Sequence, residues 1–198
     1  DGTWIGYNDR GLFVGVTNRW DVGVEGERSR GRLVADALAE RSARAARETV
    51  EHAVERDEYA GFELVVADAD GAALLEWDGR LRTRPLAPGV SVVVNVGAAL
   101  ADGTTFALDA GADERRRAQV ASARRLRERL AVRAVAGVDG WFDRAAGALG
   151  GHGSGACVHG DGFGTRSSSL LAPGRSPAYR FADGPPCETP YRTVDEQV

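Results

Sequence analysis

The stretch DGTWIGYNDRGLFVGVTNRW, residues 1–20, decides the fold because it contains two strand patterns joined by a turn. TWIGYN and LFVGVTN are rich in β-branched and aromatic residues, and the Asn, Asp and Gly between them are typical of a tight turn. Both faces of the second strand are largely apolar, as in a strand that is covered on both sides. We therefore predict a β-hairpin near the middle of a sheet.

The chain that follows this hairpin alternates helical and strand patterns. A single amphipathic helix is predicted at about 32–56, and residues 61–97 are typical of three strands with turns at Asp70-Gly71 and Asp78-Gly79. Further helices are predicted within about 112–147, and three short strands follow the glycine-rich loop at 150–164. Helical long connections and hairpin short connections indicate an α+β fold in which helices cover antiparallel sheets.

Length and composition limit the organisation of the chain. With 198 residues, no internal repeat and no low-complexity linker, residues 1–198 are expected to form one domain. The sequence contains no methionine, so we interpret Asp1 as preceded by further residues in the parent protein. Neither an apolar run of membrane-spanning length nor a leader pattern is found, which favours a cytoplasmic protein without a membrane span.

The charge pattern argues against nucleic acid as a partner. The chain carries 29 acidic and 25 basic residues, and all the basic ones are arginine. The arginine-rich stretch DERRRAQVASARRLRER, residues 113–129, has acidic neighbours and helical spacing, as expected for a solvated helix face. A basic helix face alone is weak evidence for nucleic-acid binding.

The two cysteines, Cys157 and Cys187, lie 30 positions apart with no C-x-x-C spacing. The sequence favours two free thiols and leaves a disulfide as the alternative. A zinc site made of His152, Cys157 and His159 has no fourth ligand at a usual spacing, so no metal site is predicted. The role of this glycine-rich loop stays open, and Ser154 within it is interpreted as a turn residue because it does not fit a G-x-S-x-G motif.

Three polar residues are candidates for a functional site. Asn18 ends the second strand, Asn95 interrupts the apolar stretch SVVVNVG, and a buried amide must be hydrogen-bonded or aimed at a ligand. Arg166 lies at the entry to an apolar strand, where it would either bind a carboxylate or form an ordinary salt bridge. For each residue the structural and the functional interpretation remain open at this point.

Five features follow one another along the chain: GTWIGYNDRGLFVGVTNRW, ERSRGRLV, GFELVVAD, the Asn95 strand and GTRSSS. Together they resemble the NRDE family, also called the Transport and Golgi organization 2 family. The resemblance covers nearly the whole chain. That family is similar in turn to N-terminal-nucleophile hydrolases of the choloylglycine hydrolase and penicillin acylase type. The resemblance therefore implies a four-layer αββα sandwich in which antiparallel sheets are covered by helices.

The resemblance also implies roles for the three candidates. Asn18 would correspond to an oxyanion-hole asparagine, Asn95 to a second active-site asparagine, and Arg166 to an arginine behind the nucleophile. The family typically begins Met-Cys and carries its Asn-Arg-Asp-Glu motif ahead of the hairpin, and neither is among these 198 residues. The chain as given is therefore expected to be inactive as an amidase, because it does not include the cysteine nucleophile.

Two functions of different classes follow from the resemblance. The first is a role in haem- or lipid-related trafficking or homeostasis, with haem as a cargo and no resident cofactor. The alternative is an amidohydrolase that cleaves a small non-peptide amide through an N-terminal cysteine. The residues given do not decide between an enzyme and a binding protein, because a fold by itself does not fix a function.

Overall fold

The structure is a computed structural model, which describes residues 4–20, 22–105, 113–131, 137–174 and 176–194. Its strands are β1 (Trp4–Tyr7), β2 (Phe13–Asn18), β3 (Phe62–Ala67), β4 (Ala72–Trp77), β5 (Leu81–Pro85), β6 (Val92–Val94), β7 (Gly97–Ala99), β8 (His159–Gly160), β9 (Phe163–Gly164), β10 (Ser168–Ala172), β11 (Ala178–Ala182) and β12 (Arg192–Thr193). Its helices are α1 (Arg30–Leu38), α2 (Ala43–Arg56), α3 (Glu114–Leu130) and α4 (Gly137–Leu149), with a 3-10 turn at His152–Ser154. The fold is α+β with antiparallel sheets and four described helices, as the sequence predicts.

The first five strands form one antiparallel sheet in chain order, β1-β2-β3-β4-β5. The predicted Asp-Gly turns join β3 to β4 and β4 to β5, and Gly79 has a φ of 94°, which favours glycine. Because side chains alternate between the faces of a strand, Val14, Leu64 and Leu75 share one face and are fully buried there. This sheet carries the largest apolar cluster of the described chain.

Helices α1 and α2 cover that face of the sheet through Leu33, Val34, Ala37, Ala46 and Val50. The single helix predicted at 32–56 is therefore wrong, because the structure has two helices separated at residues 39–42.

Side-chain hydrogen bonds stabilise the ends of the two helices at this break. Asn8 Nδ2 donates to the carbonyl oxygens of Leu38 and Glu40, both at 2.9 Å, while Ser42 Oγ accepts from the Ala45 amide at 3.2 Å.

The prediction that the opening hairpin lies near the middle of a sheet is wrong, because the hairpin lies at one edge of the described five-stranded sheet. β1 pairs with β2 only, and its Trp4 and Ile5 are 57% and 47% exposed. The turn itself is as predicted, since the Asn8 amide donates to Leu12 O at 3.0 Å and Gly11 takes a φ of 78°. β2 is the covered strand of the pair.

The β6-β7 hairpin packs on the other face of the sheet. Leu74 of β4 is fully buried against Ala98 of β7 and Leu100, and α3 packs on the β6-β7 hairpin through Ala123 and Leu126. α4 packs against the three-stranded sheet β10-β11-β12. The helices predicted within 112–147 and the three final strands are confirmed, although 112 and 132–136 lie outside the described residues.

Candidate functional site

Asn18 and Asn95, which are 77 positions apart, lie side by side in the structure. Asn95 occupies the two-residue turn between β6 and β7, and its Nδ2 donates to the Asn18 carbonyl oxygen at 2.9 Å and to Thr17 Oγ1 at 2.8 Å. The Trp20 amide in turn donates to the Asn95 carbonyl oxygen at 3.1 Å. The end of β2 is thus joined to the β6-β7 turn.

The hydrogen-bonding capacity of the Asn95 amide is largely used by these contacts. An Asn side chain has two N–H donors, and both have acceptors here. Its Oδ1 accepts from Gln119 Nε2 on α3 at 3.4 Å. In this arrangement Asn95 joins three elements and positions the Asn18 segment.

A cavity of about 350 Å³ lies beside Asn18 at the start of α1. Trp4, Ser29, Arg30 and Gly31 are among the residues that line it. A Cβ atom on Gly31 would lie 2.6 Å from Cε2 of Trp4, so the absence of a side chain at Gly31 makes room for the indole. The cavity therefore combines an aromatic surface, an amide and a cation.

Charges of both signs line this cavity, Arg28 and Arg30 with Glu27, and the features that attract an anion are Arg30 and the start of α1. Burial lowers the pKa of the Arg30 guanidinium, which donates from Nη1 to the Gly61 carbonyl oxygen at 2.8 Å. The first turn of α1 contains no acidic residue, and Ser29 makes no side-chain capping bond to it. Helix N-terminal N–H groups and a partly buried arginine both attract negative charge.

A group of buried charges lies next to the Asn18 segment on the face of the sheet opposite α1 and α2. Glu63 of β3 and Glu76 of β4 are paired across the strands and are each 1% exposed. Arg19 Nη1 lies 3.4 Å from Glu63 Oε1 and 3.8 Å from Glu76 Oε1, and Arg84 Nε lies 2.6 Å from Glu76 Oε2. Sequence reasoning missed this group, although two carboxylates at inward positions of apolar strands were a usable signal.

Asp78 and Arg82 form the rim of the same charged group. They make a close ion pair, and Arg19 Nη1 lies 3.8 Å from Asp78 Oδ2. Burial alone would raise the pKa of Asp78, but the hydrogen bond and charge of Arg82 and the charge of Arg19 lower it overall. Folding therefore favours the ionised form of the Asp78 carboxyl group.

Arg166 does not join the asparagine pair. It lies between β9 and β10, is exposed, and makes neither a hydrogen bond nor an ion pair with the described part of the chain. A different arginine reaches the end of β2: the guanidinium carbon of Arg115 lies 4.4 Å from the ring centre of Trp20 and 5.3 Å from that of Phe163. Arg115 thereby connects the β2 end to the β8-β9 hairpin.

Within the glycine-rich loop, His152, Cys157 and His159 come together with Cys187 from the loop after β11. We call these four residues the histidine–cysteine cluster. Cys187 is the fourth residue of the cluster, and no usual ligand spacing in the sequence connects it to the other three. Ser154 is a structural turn residue, since it is fully buried and its Oγ donates to the carbonyl oxygens of Ala148 at 2.9 Å and Gly151 at 2.8 Å.

Residues 1–182 match the sequence model of the family described as Transport and Golgi organisation 2, a range that covers most of the chain. The chain belongs to the Transport and Golgi organisation 2 family. A comparison with curated protein sequences finds no match. The range that matches the Transport and Golgi organisation 2 family contains Asn18, Asn95 and Arg166, whereas Cys187 lies beyond it.

No helix in the described ranges is both long enough and apolar enough to cross a bilayer.

Proposed function

We propose that this Transport and Golgi organisation 2 protein has a role in haem- or lipid-related trafficking or homeostasis, in which the cavity at the start of α1 holds the acidic end of an amphipathic ligand. The observation that carries the proposal is the meeting of Trp4, Asn18 and Arg30 in that cavity. Haem propionates and lipid carboxylates or phosphates share the chemistry that such a set recognises, namely an anion next to an apolar body.

The size and position of the cavity support binding of one end of a ligand. Its volume of about 350 Å³ is at the lower end of the range of small-molecule sites, so the rest of a larger ligand would extend outside it. Trp4, which lines the cavity, is 57% exposed and offers an apolar surface for that part.

A titration with two probes tests this proposal. Haemin and oleate are added separately to the chain, and binding is followed by quenching of tryptophan fluorescence. Arg30→Gln should weaken binding by at least about tenfold, since a charged hydrogen bond contributes about 1.5–3 kcal/mol. Trp4→Leu should also weaken binding, because it removes the aromatic surface of the cavity. Arg44→Gln is the control, because Arg44 is 82% exposed on α2. If neither variant weakens binding more than the control does, the ligand does not bind in this cavity.

The alternative function is an amidohydrolase, and the contact between Asn18 and Asn95 favours it. In this alternative Asn18 contacts the oxyanion, while Asn95, whose N–H groups bind Thr17 and Asn18, holds that segment in place. The packing of α1 and α2 on one face of the five-stranded sheet and of β7 on the other is compatible with the αββα sandwich that this alternative requires.

The intact mass and N-terminal sequence of the native protein test the alternative first. A mature chain that begins with cysteine would supply the nucleophile, and hydrolysis of small N-acyl amides would then have to fall at least about 100-fold in Asn18→Ala, as for loss of an oxyanion-hole donor. A native start without cysteine, or activity that survives Asn18→Ala, would eliminate this mechanism.

A further inference from the structure

The histidine–cysteine cluster gathers almost all of the chain's metal-ligating nitrogen and sulfur. The sequence contains three histidines and two cysteines, and all of them except His52 meet in this cluster. One ligand atom from each of His152, Cys157, His159 and Cys187 lies within 4.8 Å of the other three. We propose that this cluster binds a single Zn²⁺ ion with tetrahedral Cys₂His₂ coordination.

The distances among Cys157, His159 and Cys187 fit a tetrahedron around one small ion, and the ligand atom of His152 lies within 4.8 Å of those three. Zn–S bonds of about 2.3 Å and Zn–N bonds of about 2.0–2.1 Å place two sulfurs about 3.8 Å apart and a sulfur and a nitrogen about 3.6 Å apart. Here the Cys157 and Cys187 sulfurs are 3.4 Å apart, and His159 Nε2 lies 3.6 Å from one and 3.1 Å from the other. Small side-chain adjustments bring all four atoms to bonding distance.

The donor set selects the type of metal. Two thiolates and two imidazoles are soft and borderline ligands, which disfavour Mg²⁺ and Ca²⁺ and suit zinc. A two-iron cluster can also take two cysteines and two histidines, but it binds each pair on a different iron and so needs a wider separation than this compact cluster has. Four protein ligands leave no open position, which is typical of a structural zinc site.

The backbone around the cluster is held in place by contacts that do not involve the ligands. The carbonyl oxygen of Pro186 lies 2.8 Å from where a Cβ atom on Gly150 would be, so the two ligand-bearing loops touch at a glycine. Thr165 Oγ1 accepts from the Val158 amide at 3.0 Å, between the ligands Cys157 and His159. The loop is therefore already shaped to present its ligands.

A disulfide between Cys157 and Cys187 is the competing state. The two thiols are free and their sulfurs lie 3.4 Å apart, so they would have to move to about 2.05 Å to bond. A disulfide gives no reason for two imidazoles to meet at the same point, whereas His152 and His159 lie edge to face with ring centres 5.2 Å apart. Zinc accounts for all four residues.

Zinc at this position would fasten the glycine-rich loop to the loop after β11. Cys157 lies just before β8 and His159 begins that strand, which pairs with β9, and Phe163 of β9 packs on Arg115. Cys187 lies in the loop before β12. Binding releases the two thiol protons, because the cysteines coordinate as thiolates, and so zinc affinity falls at low pH.

Metal analysis of the purified chain tests the proposal. We expect about one zinc per chain by inductively coupled plasma mass spectrometry, and Co²⁺ substitution should give the absorption bands of tetrahedral thiolate coordination. Loss of a residue that only hydrogen-bonds to a metal ligand lowers metal affinity by up to roughly 100-fold. Cys187→Ser removes a ligand itself, so it should lower zinc affinity by more than that. His52→Ala is the control, since His52 is exposed on α2 and should leave the affinity unchanged.

Alkylation of the thiols keeps the test independent of whether Cys187→Ser folds. In the unaltered chain, Zn²⁺ should protect both cysteines from iodoacetamide, and a chelator should restore their reactivity. Three results would overturn the proposal: a mass lower by two hydrogen atoms with no zinc, as for a disulfide, iron together with acid-labile sulfide, or zinc that binds equally well to a folded Cys187→Ser variant.

Discussion

Replacing Arg19 by methionine tests whether the buried charges of the sheet depend on this arginine. The Arg19 side chain is 15% exposed, and the side chains of Glu63 and Glu76 are 0% and 2% exposed. At 3.4 Å and an effective dielectric constant of about 20, the attraction to Glu63 is at most about 5 kcal/mol. Glu76 keeps Arg84 at 2.6 Å after the change, so we expect a loss of about 3 kcal/mol in the free energy of unfolding.

Urea unfolding followed by tryptophan fluorescence measures this loss directly, and thermal unfolding should show a decrease of about 6–12 °C in Tm for a chain of this length. Arg44→Met is the matched control. Its partner Glu48 lies at 3.0 Å, but Arg44 is 82% exposed, so that variant should cost no more than about 0.5 kcal/mol.

A double variant separates the loss of charge pairing from the loss of packing. Arg19→Met combined with Glu63→Gln should regain about 1 kcal/mol or more, because it removes a buried charge that has lost a cation. If Arg19→Met costs as little as Arg44→Met, or if the second change regains nothing, the buried carboxylates do not depend on Arg19 and the reasoning fails.

Three further predictions use other contacts. Asn95→Ala removes hydrogen bonds that tie β2 to the β6-β7 turn, so urea unfolding should show a loss of about 1–3 kcal/mol, and no loss would contradict its role as a tie. The arginine neighbours of Asp78 lower its pKa below 3.8, so the ionised carboxylate stabilises the folded chain above that pH and this stabilisation is lost as the pH falls further. The free energy of unfolding of Asp78→Asn should therefore fall less on acidification than that of the unaltered chain. Parallel pH profiles of the two chains would refute this. Gly150→Ala should lower the free energy of unfolding by about 1–3 kcal/mol, because its Cβ would meet the Pro186 carbonyl oxygen at 2.8 Å. Gly147→Ala on α4 is the control, since nothing lies within 4 Å of its Cβ, and it should be neutral or stabilising by up to about 1 kcal/mol. Equal effects would show that the loops of Gly150 and Pro186 do not touch.

Local signals were enough to predict most of the elements. The Asp-Gly turns after β3 and β4 were predicted because turn conformation depends on the residues within it, and the structure places β4 and β5 accordingly. The break between α1 and α2 was missed because the apolar spacing continues across it. What ends α1 is a side chain from another part of the chain, Asn8, which binds the carbonyl oxygens of Leu38 and Glu40.

The sequence predicted those site residues that share a local pattern, but it did not connect residues that are far apart in the chain and share none. Asn18 and Asn95 were selected because each ends or interrupts an apolar strand, and the structure joins them. Cys187 was not connected to His159 because 28 residues separate them and no usual ligand spacing applies. Arg166 was selected on its position before a strand, and the structure leaves it apart from the pair.

The buried carboxylates also determine which pairing of strands the sheet can adopt. A shift of one residue would turn Glu63 and Glu76 away from Arg19 and towards α1 and α2, where Leu33 and Val50 are fully buried. Such a misaligned sheet would bury two carboxylates among aliphatic side chains. A stretch of valine and leucine alone would tolerate several alignments, so the two glutamates reduce the stability of the core but exclude the incorrect ones.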